Sequence, residues 1–241
     1  MSRLAYARTA AYFGAIGIWG LVTIPLSLAL TLLGRRFESA PWIMWSFYHI
    51  IRFSFGICVD IEGSEHLETA QPAVLMLNHQ SALDIWFLGC VIPKRVCVMV
   101  KKSLGFSAIG PTLYLTGSLF VERGTGTRAI ASFRRASATL REQRVSLLVF
   151  PEGTRNRSPT ASLLPFKKGA FHMAVQSGLP IVPVVCENYS HIYRAGCFEP
   201  GIIKARVLPP IPTAGLGEED VQALTTRVRE QMLQVLLDIS R

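Results

Sequence analysis

The stretch AVLMLNHQSALD, residues 73–84, decides the predicted fold. Its first five residues are apolar and predict a short buried strand, and the apolar run that begins at Ile85 predicts a helix. Ser81 and Asp84 have the spacing of a capping box, so we predict that this helix begins at Ser81. A strand that passes through a polar turn into a helix is the repeating unit of α/β domains.

The same alternation continues along residues 60–241, where short β-branched runs are separated by helical patterns. The apolar face of Thr127–Gln143 and the apolar stripe that follows Glu218 predict two of the helices. The predicted strands are Ile57–Ile61, Ala73–Leu77, Val96–Val100, Ser118–Val121, Leu147–Phe150, Ile181–Val185 and Ile203–Leu208. We therefore predict an α/β domain with a mixed central sheet flanked by helices.

A charge-free segment near the N terminus predicts a membrane anchor. No charged residue lies between Thr9 and Gly34, and as a helix this run would be about 39 Å long, against roughly 30 Å of hydrocarbon in a bilayer. Pro25 predicts a kink, and Arg35 and Arg36 would lie among the headgroups. The alternatives are a cleaved signal peptide and the core helix of a soluble protein, neither of which usually contains so long an apolar run.

A second apolar stretch, residues 41–59, contains an arginine whose burial in hydrocarbon would be costly. It therefore predicts a helix in the interface, with Trp42, Trp45 and Tyr48 at headgroup depth, or a helix that covers the α/β domain. Together the two apolar stretches predict a membrane-associated helical segment over residues 1–59, ahead of the domain formed by the rest of the chain.

Composition narrows the class of partner. The chain has 241 residues, a formal net charge of +9, and 17% charged against 50% hydrophobic residues. This balance excludes a disordered chain and indicates an anionic partner. Nucleic acid is not expected, because aromatic residues are not interleaved with the basic ones. Five cysteines without a CxxC pair indicate reduced thiols, and no zinc cluster, Walker A loop, GxSxG or GxGxxG motif is present in the sequence.

His79 and Asp84 are the candidate catalytic residues. On one helix they would point about 140° apart, so they meet only if they lie across a strand-to-helix turn. A carboxylate bonded to one imidazole nitrogen fixes the tautomer and makes the other nitrogen a general base. The alternative is that Asp84 only caps the helix and that His79 is an ordinary loop residue.

Charged residues at strand ends form the second candidate feature. Glu152 and Arg155 follow the strand that ends at Phe150, and α/β sheets bind ligands at the carboxyl ends of their strands. Lys102 and Arg123 also follow apolar strands, and guanidinium and ammonium groups that converge suit a phosphomonoester. The alternatives are a solvated turn and a surface attracted to anionic lipid.

Four stretches, in this order, resemble the glycerolipid acyltransferase family, and within it the 1-acyl-sn-glycerol-3-phosphate acyltransferases. They are NHQSALD (78–84), GSLFVER (117–123), FPEGTR (150–155) and IVPV (181–184). The resemblance extends from about residue 63 to the C terminus, so it assigns residues 60–241 to an acyltransferase catalytic domain. The N-terminal segment is similar in kind to the membrane anchor of that family.

The resemblance implies transfer of a fatty acyl group from acyl-CoA, a co-substrate, to the sn-2 hydroxyl of lysophosphatidic acid, with no cofactor and no metal. His79 would be the general base, and Asp84 would hold its ring. Arg123 would bind the acceptor, and Lys102 is added on the phosphate argument. Backbone amides near Gly153 would stabilise the oxyanion. The residues expected around the acceptor phosphate are Glu152, Gly153, Thr154 and Arg155.

Two other functions fit the same residues. One is an acyltransferase for glycerol 3-phosphate or for a lysophospholipid with a larger headgroup, and the other is a non-catalytic protein that binds lipid or acyl-CoA at a membrane. Membrane lipids are expected partners in each case. The site is expected to face the cytosol, at the endoplasmic reticulum by resemblance to the eukaryotic-type branch, or at a bacterial inner membrane.

Overall fold

Helices and strands alternate through most of the computed structural model, which describes residues 3–106, 109–121 and 127–240. Its helices are α1 (Arg3–Val22), α2 (Ile24–Leu32), α3 (Ser39–Phe55), α4 (Glu65–Thr69), α5 (Asp84–Val91), α6 (Gly110–Leu115), α7 (Thr127–Gln143), α8 (Gly169–Ser177) and α9 (Val221–Ile239). Its strands are β1 (Ile57–Glu62), β2 (Val74–Leu77), β3 (Val96–Lys101), β4 (Leu119–Val121), β5 (Ser146–Val149), β6 (Ile181–Cys186), β7 (Tyr193–Arg194), β8 (Cys197–Phe198) and β9 (Gly201–Val207). The predicted α/β class is confirmed.

The described strands form a seven-stranded mixed sheet in the order β1-β9-β6-β2-β5-β3-β4, and β7 and β8 form a separate hairpin. Neighbours in the large sheet run parallel except β6 and β9, which are antiparallel. Each strand predicted from an apolar run is present, with its ends moved by one or two residues. Because β2 lies between β5 and β6, the loop that follows β2 is flanked by the loops that follow those two strands.

Helices cover both faces of the sheet. Leu75 and Leu77 of β2 belong to a buried cluster with residues of α1, α3 and α5, whereas Val74 and Met76 belong to a second cluster with residues of α7, α8 and α9. Side chains alternate along a strand, so a strand covered on both faces is apolar throughout. The helix predicted over Thr127–Gln143 is present with the same bounds, and the C-terminal stripe is buried along α9.

The first two helices present an apolar surface. They meet at Thr23, and Pro25 lies in the first turn of α2, where its missing N–H breaks no helical hydrogen bond. The run is thus divided into two helices two residues before Pro25. Residues 3–32 are long and apolar enough to cross a membrane, by length and composition, and only 11% of their most apolar window is buried. This exposure argues against the core helix of a soluble protein.

The helix α3 lies on α5 and exposes its opposite face. The rings of Tyr48 and Trp86 stack with centroids 5.2 Å apart, and a Cβ at Gly89 would lie 2.2 Å from a backbone carbonyl oxygen of α3, so glycine permits the close approach. Trp42 and Trp45 are exposed, whereas Tyr48 is buried against α5, so its predicted place at headgroup depth is wrong. The helix covers the α/β domain with one face.

The N-terminal helices and the sheet share a core. Tyr12 of α1 is fully buried, and its ring meets Phe55 and Phe198 edge to face. Its hydroxyl donates to the Ala82 carbonyl oxygen at 2.9 Å, inside the loop that carries the candidate catalytic residues. The predicted boundary between residues 59 and 60 therefore separates two compositions but not two cores.

Candidate active site

The candidate active site lies where β2, β5 and β6 end. Because β2 is parallel to both of its neighbours, the loops that follow the three strands meet at one edge of the sheet. These loops carry His79, Glu152 and Tyr189 respectively. The β2 loop therefore forms hydrogen bonds with the segments that follow β5 and β6.

Asn78 joins the end of β2 to the end of β6. Its side-chain amide donates to the Cys186 carbonyl oxygen, and its side-chain oxygen accepts from the Cys186 N–H, both at 2.8 Å. Gln80 adds a bond from its Nε2 to the Glu187 carbonyl oxygen at 2.8 Å. These bonds replace backbone pairing just beyond the strand, so they set the direction in which the chain carries His79 out of the sheet.

The structure brings His79 and Asp84 together. The Nδ1 of His79 lies 2.7 Å from Oδ2 of Asp84, and the imidazole stacks on the Phe150 ring with centroids 4.1 Å apart. The side chain of His79 is 19% exposed and that of Asp84 only 2%. In the described part of the chain, nothing hydrogen-bonds to the Nε2 of His79. One ring nitrogen is thus held by the protein, and the other is left for a substrate.

The capping box predicted that the helix α5 begins at Ser81, but the helix begins at Asp84. Oδ2 of Asp84 accepts the N–H groups of Gln80 at 2.7 Å and Ser81 at 3.0 Å, and Oγ of Ser81 accepts that of Leu83 at 3.0 Å. The reciprocal bonds of a cap are therefore present, but they close a turn ahead of the helix. The same carboxylate caps this turn and orients the imidazole, so the two interpretations offered by the sequence coexist.

Glu152 supports the loop from the other side. Its Oε1 accepts the N–H of His79 and its Oε2 accepts the N–H of Leu164, both at 2.8 Å. The carboxylate is buried, and burial raises the pKa of Glu152, although the two amide donors act in the opposite direction. The sequence predicted Glu152 beside the acceptor phosphate. In the structure both of its oxygens bind backbone amides instead.

Gly153, Thr154 and Arg155 form the outer part of the turn after β5. Gly153 has a φ of +69°, in the left-handed region that favours glycine. Its N–H donates to the Phe150 carbonyl oxygen at 3.0 Å, so this amide is not available to an oxyanion. Thr154 and Arg155 are exposed, and the Arg155 guanidinium makes no hydrogen bond to the described residues.

The other two predicted basic residues follow β3 and β4 along the chain. Lys102 is exposed in the 3₁₀ turn Lys102–Phe106, which follows β3, and β3 is parallel to β5. The next strand, β4, ends at Val121, and Arg123 lies outside the described residues. Among residues 3–106, 109–121 and 127–240, no three His, Cys, Asp or Glu side chains converge as a metal site.

Tyr189 belongs to the site but was not predicted. Its ring is buried, and its hydroxyl donates to Oδ1 of Asp84. The hydroxyl oxygen of Tyr189 lies 2.8 Å from Oγ of Ser81. Tyr189 and Asp84 are 105 positions apart, so their contact follows only from the pairing of β6 with β2. The one sequence signal was that Tyr189 follows the carboxyl end of a buried strand.

Comparison with known proteins agrees with this geometry. The family model described as Acyltransferase matches residues 58–187, which is more than half of the chain and includes the loops after β2 and β5. The chain belongs to the acyltransferase family. Human 1-acyl-sn-glycerol-3-phosphate acyltransferase alpha is 38% identical to this acyltransferase over 238 residues, which cover 98% of this chain and 82% of the human protein.

Other relatives extend the match. The 1-acyl-sn-glycerol-3-phosphate acyltransferase of Saccharomyces cerevisiae is 35% identical to this acyltransferase over 240 residues, covering 98% of this chain and 78% of the yeast protein. The crystal structure of the 1-acyl-sn-glycerophosphate acyltransferase PlsC from Thermotoga maritima superposes with a TM-score of 0.65 and 23% identity, over 91% of this chain and 96% of that one. The two proteins share the fold, and the family resemblance found in the sequence is confirmed.

Proposed function

We propose that this acyltransferase transfers a fatty acyl group from acyl-CoA to the sn-2 hydroxyl of 1-acyl-sn-glycerol 3-phosphate and releases phosphatidic acid and CoA. The names of the relatives that match nearly the whole chain support this acceptor. The observation that carries the proposal is the bond of 2.7 Å between His79 and Asp84, which leaves Nε2 of His79 facing no partner in the described chain.

The chemistry follows from that free nitrogen. Nε2 of His79 removes the proton of the acceptor hydroxyl while the hydroxyl oxygen forms a bond to the thioester carbonyl carbon. The C–S bond then breaks, and the proton passes from His79 to the CoA thiolate. Asp84 stabilises the imidazolium formed between these steps. The acceptor oxygen is itself the nucleophile, so the reaction needs no acyl-enzyme and no cofactor.

The acceptor phosphate is assigned to the exposed basic residues at the same edge of the sheet. Arg155 offers two parallel N–H donors, which match the geometry of a phosphate, and Thr154 offers a hydroxyl. Lys102 and Arg123 are proposed as further positive charges, because each follows a strand that ends at this edge. Glu152 and Gly153 shape the turn that displays these groups.

Membrane attachment is part of the proposal, because both the acceptor and the product are lipids. The poorly buried helices α1 and α2 and the exposed Trp42 and Trp45 form the surface assigned to the bilayer. We place the active site on the cytosolic side, at the endoplasmic reticulum or at a bacterial inner membrane. Asn156 and Asn188 each begin an Asn-x-Ser glycosylation sequon, and we expect both to stay unglycosylated on the cytosolic side. Their side-chain amides donate to backbone carbonyl oxygens. A mass shift on glycosidase treatment would contradict this orientation.

The test is the release of CoA by the detergent-purified protein with oleoyl-CoA and lysophosphatidic acid, with the lipid product identified by mass. We expect phosphatidic acid from the wild type and at most about 1% of that turnover from His79→Ala, since loss of a general base costs roughly 10²–10⁴-fold. A turnover of His79→Ala above about 1% of the wild-type rate would reject His79 as the base.

Two further outcomes separate the competing functions. Release of CoA without phosphatidic acid would indicate hydrolysis or another acceptor, and competition with glycerol 3-phosphate or a larger lysophospholipid would identify that acceptor. A folded protein that binds oleoyl-CoA without releasing CoA would be a lipid or acyl-CoA binding protein.

A further inference from the structure

Tyr189 occupies a buried position behind the catalytic pair. It lies in the segment that follows β6, and it is only 2% exposed. The segment is held by backbone bonds, since the Tyr189 carbonyl oxygen accepts the N–H groups of Ile192 and Tyr193, both at 2.9 Å. The ring therefore has a fixed place, and its hydroxyl points at Asp84.

The two oxygens of Asp84 differ in their donors. Oδ2 accepts from Nδ1 of His79 and from the N–H groups of Gln80 and Ser81. Oδ1 accepts only from the Tyr189 hydroxyl among the described residues. A buried carboxylate oxygen without a donor is costly, so the Tyr189 hydroxyl supplies the hydrogen bond that Oδ1 would otherwise lack among the described residues.

The direction of each proton along this chain of groups can be assigned. As a carboxylate, Asp84 only accepts, so the Tyr189 hydroxyl donates its single proton in the hydrogen bond to Oδ1. The bond of 2.8 Å between Tyr189 and Ser81 must then be donated by Oγ of Ser81, which itself accepts the N–H of Leu83. Hydrogen bonds that point in the same direction along such a chain polarise one another, so each of them becomes stronger. Burial raises the pKa of Tyr189 well above its usual range, which keeps this donor protonated.

We propose that Tyr189 is a positioning residue for acyl transfer: its hydroxyl holds the Asp84 carboxylate in the plane that orients His79. The inference rests on the proposed role of His79 as general base. Because Asp84 and His79 lie between Tyr189 and the reacting atoms, Tyr189 contacts neither substrate. Its effect therefore belongs to turnover and not to substrate affinity.

The first test compares Tyr189→Phe with the wild type and with Tyr193→Phe as a matched control. Tyr193 lies in the same segment, and its hydroxyl makes no hydrogen bond to His79 or Asp84. We expect Tyr189→Phe to lower kcat by about 10- to 100-fold, as the loss of one hydrogen bond to a charged group would. The KM values for lysophosphatidic acid and oleoyl-CoA should stay within about twofold, and Tyr193→Phe should keep the wild-type kcat.

A second test uses Ser81→Ala, which leaves the tyrosine ring in place and removes the donor to its hydroxyl together with the acceptor of the Leu83 N–H. We expect Ser81→Ala to lower kcat by less than Tyr189→Phe does. Because Ser81 acts on Asp84 partly through the Tyr189 hydroxyl, Ser81→Ala should also have a smaller effect in the Tyr189→Phe background than in the wild type. Should Tyr189→Phe fail to fold, Ser81→Ala still tests the inference: a decrease in kcat at unchanged KM supports it, and a wild-type kcat contradicts it.

Three results would overturn the inference: wild-type kcat in Tyr189→Phe, a loss of activity carried by KM, or equal effects of Ser81→Ala in both backgrounds. Wild-type turnover with lysophosphatidic acid is measured first. A wild type that turns over a different acceptor contradicts the proposed substrate, and the Tyr189 comparison is then made with that acceptor. A wild type without any turnover contradicts both proposals.

Discussion

Two loops at the same edge of the sheet are built in opposite ways. The loop after β2 is saturated with hydrogen bonds: Asp84 accepts from four donors, and the His79 backbone N–H is bound by Glu152. The outer turn after β5 displays Thr154 and Arg155 to solvent. The group proposed to move a proton is fixed before a substrate arrives, whereas the groups proposed to hold the substrate are left accessible.

The difference has a physical reason. A general base works only in one orientation, so the protein benefits from fixing its ring in advance. A guanidinium that waits for a phosphate is better left in water, because burial of an unpaired charge is costly. The two loops should consequently respond to substitution in different kinetic constants, the first in kcat and the second in KM.

The largest effect is expected at Asp84. Asp84→Ala removes the acceptor of His79 and of two backbone amides, and we expect kcat to fall by roughly 10²–10⁴-fold, comparable to the loss of the base itself. Steady-state kinetics measure this, and Asp60→Ala on β1, which removes an exposed carboxylate, is the control. A kcat within about tenfold of the wild type would mean that the saturated loop is not needed for turnover.

The next effect concerns the accessible turn. Arg155→Ala should raise the KM for lysophosphatidic acid by about 10- to 100-fold through loss of a charge-assisted contact, with kcat changed little. The control is Arg157→Ala, which removes an exposed positive charge two residues farther along. If Arg155→Ala instead lowers kcat at constant KM, the contrast between the two loops fails.

A smaller effect tests the backbone of the turn. Gly153→Ala places a side chain at a φ of +69° and 3.3 Å from Cγ of Lys167, so the free energy of unfolding should fall by about 1 kcal/mol. Gly14→Ala in α1, where no atom lies within 4 Å of an added Cβ, should not destabilise the protein. Thermal melting of the two variants distinguishes these outcomes, and equal melting temperatures would contradict the conformational argument.

The smallest effect is a pH dependence at Glu152. Because burial raises its pKa in the folded protein, the stability linked to this group is fully present below the pKa of an unfolded glutamate, near 4.3, and is lost as pH rises through the folded value. The melting temperature of the wild type minus that of Glu152→Gln should therefore be larger at about pH 4 than at about pH 7. A difference independent of pH would show that Glu152 titrates as it does in the unfolded chain.

Elements with a strong local pattern were predicted well. The strands and the helix Thr127–Gln143 follow from hydrophobic period, and Pro25 located the break between α1 and α2. Features that depend on neighbours were predicted less well. The sequence predicted Tyr48 as an interfacial aromatic residue, but its ring stacks on Trp86. The capping box at Ser81 closes a turn instead of starting a helix. In each case a tertiary contact outweighed the local signal.

The sequence by itself determined the α/β class, the apolar N-terminal segment and the family, because these depend on periodicity, composition and residues close together along the chain. It offered the pairing of His79 with Asp84 as one of two interpretations. The tertiary structure decided which groups support that pair. Glu152 lies 73 positions from His79, and Tyr189 lies 105 positions from Asp84. Both reach the β2 loop only because β5 and β6 pair with β2 on either side. Burial and hydrogen-bond direction follow from that strand order, which no local pattern encodes.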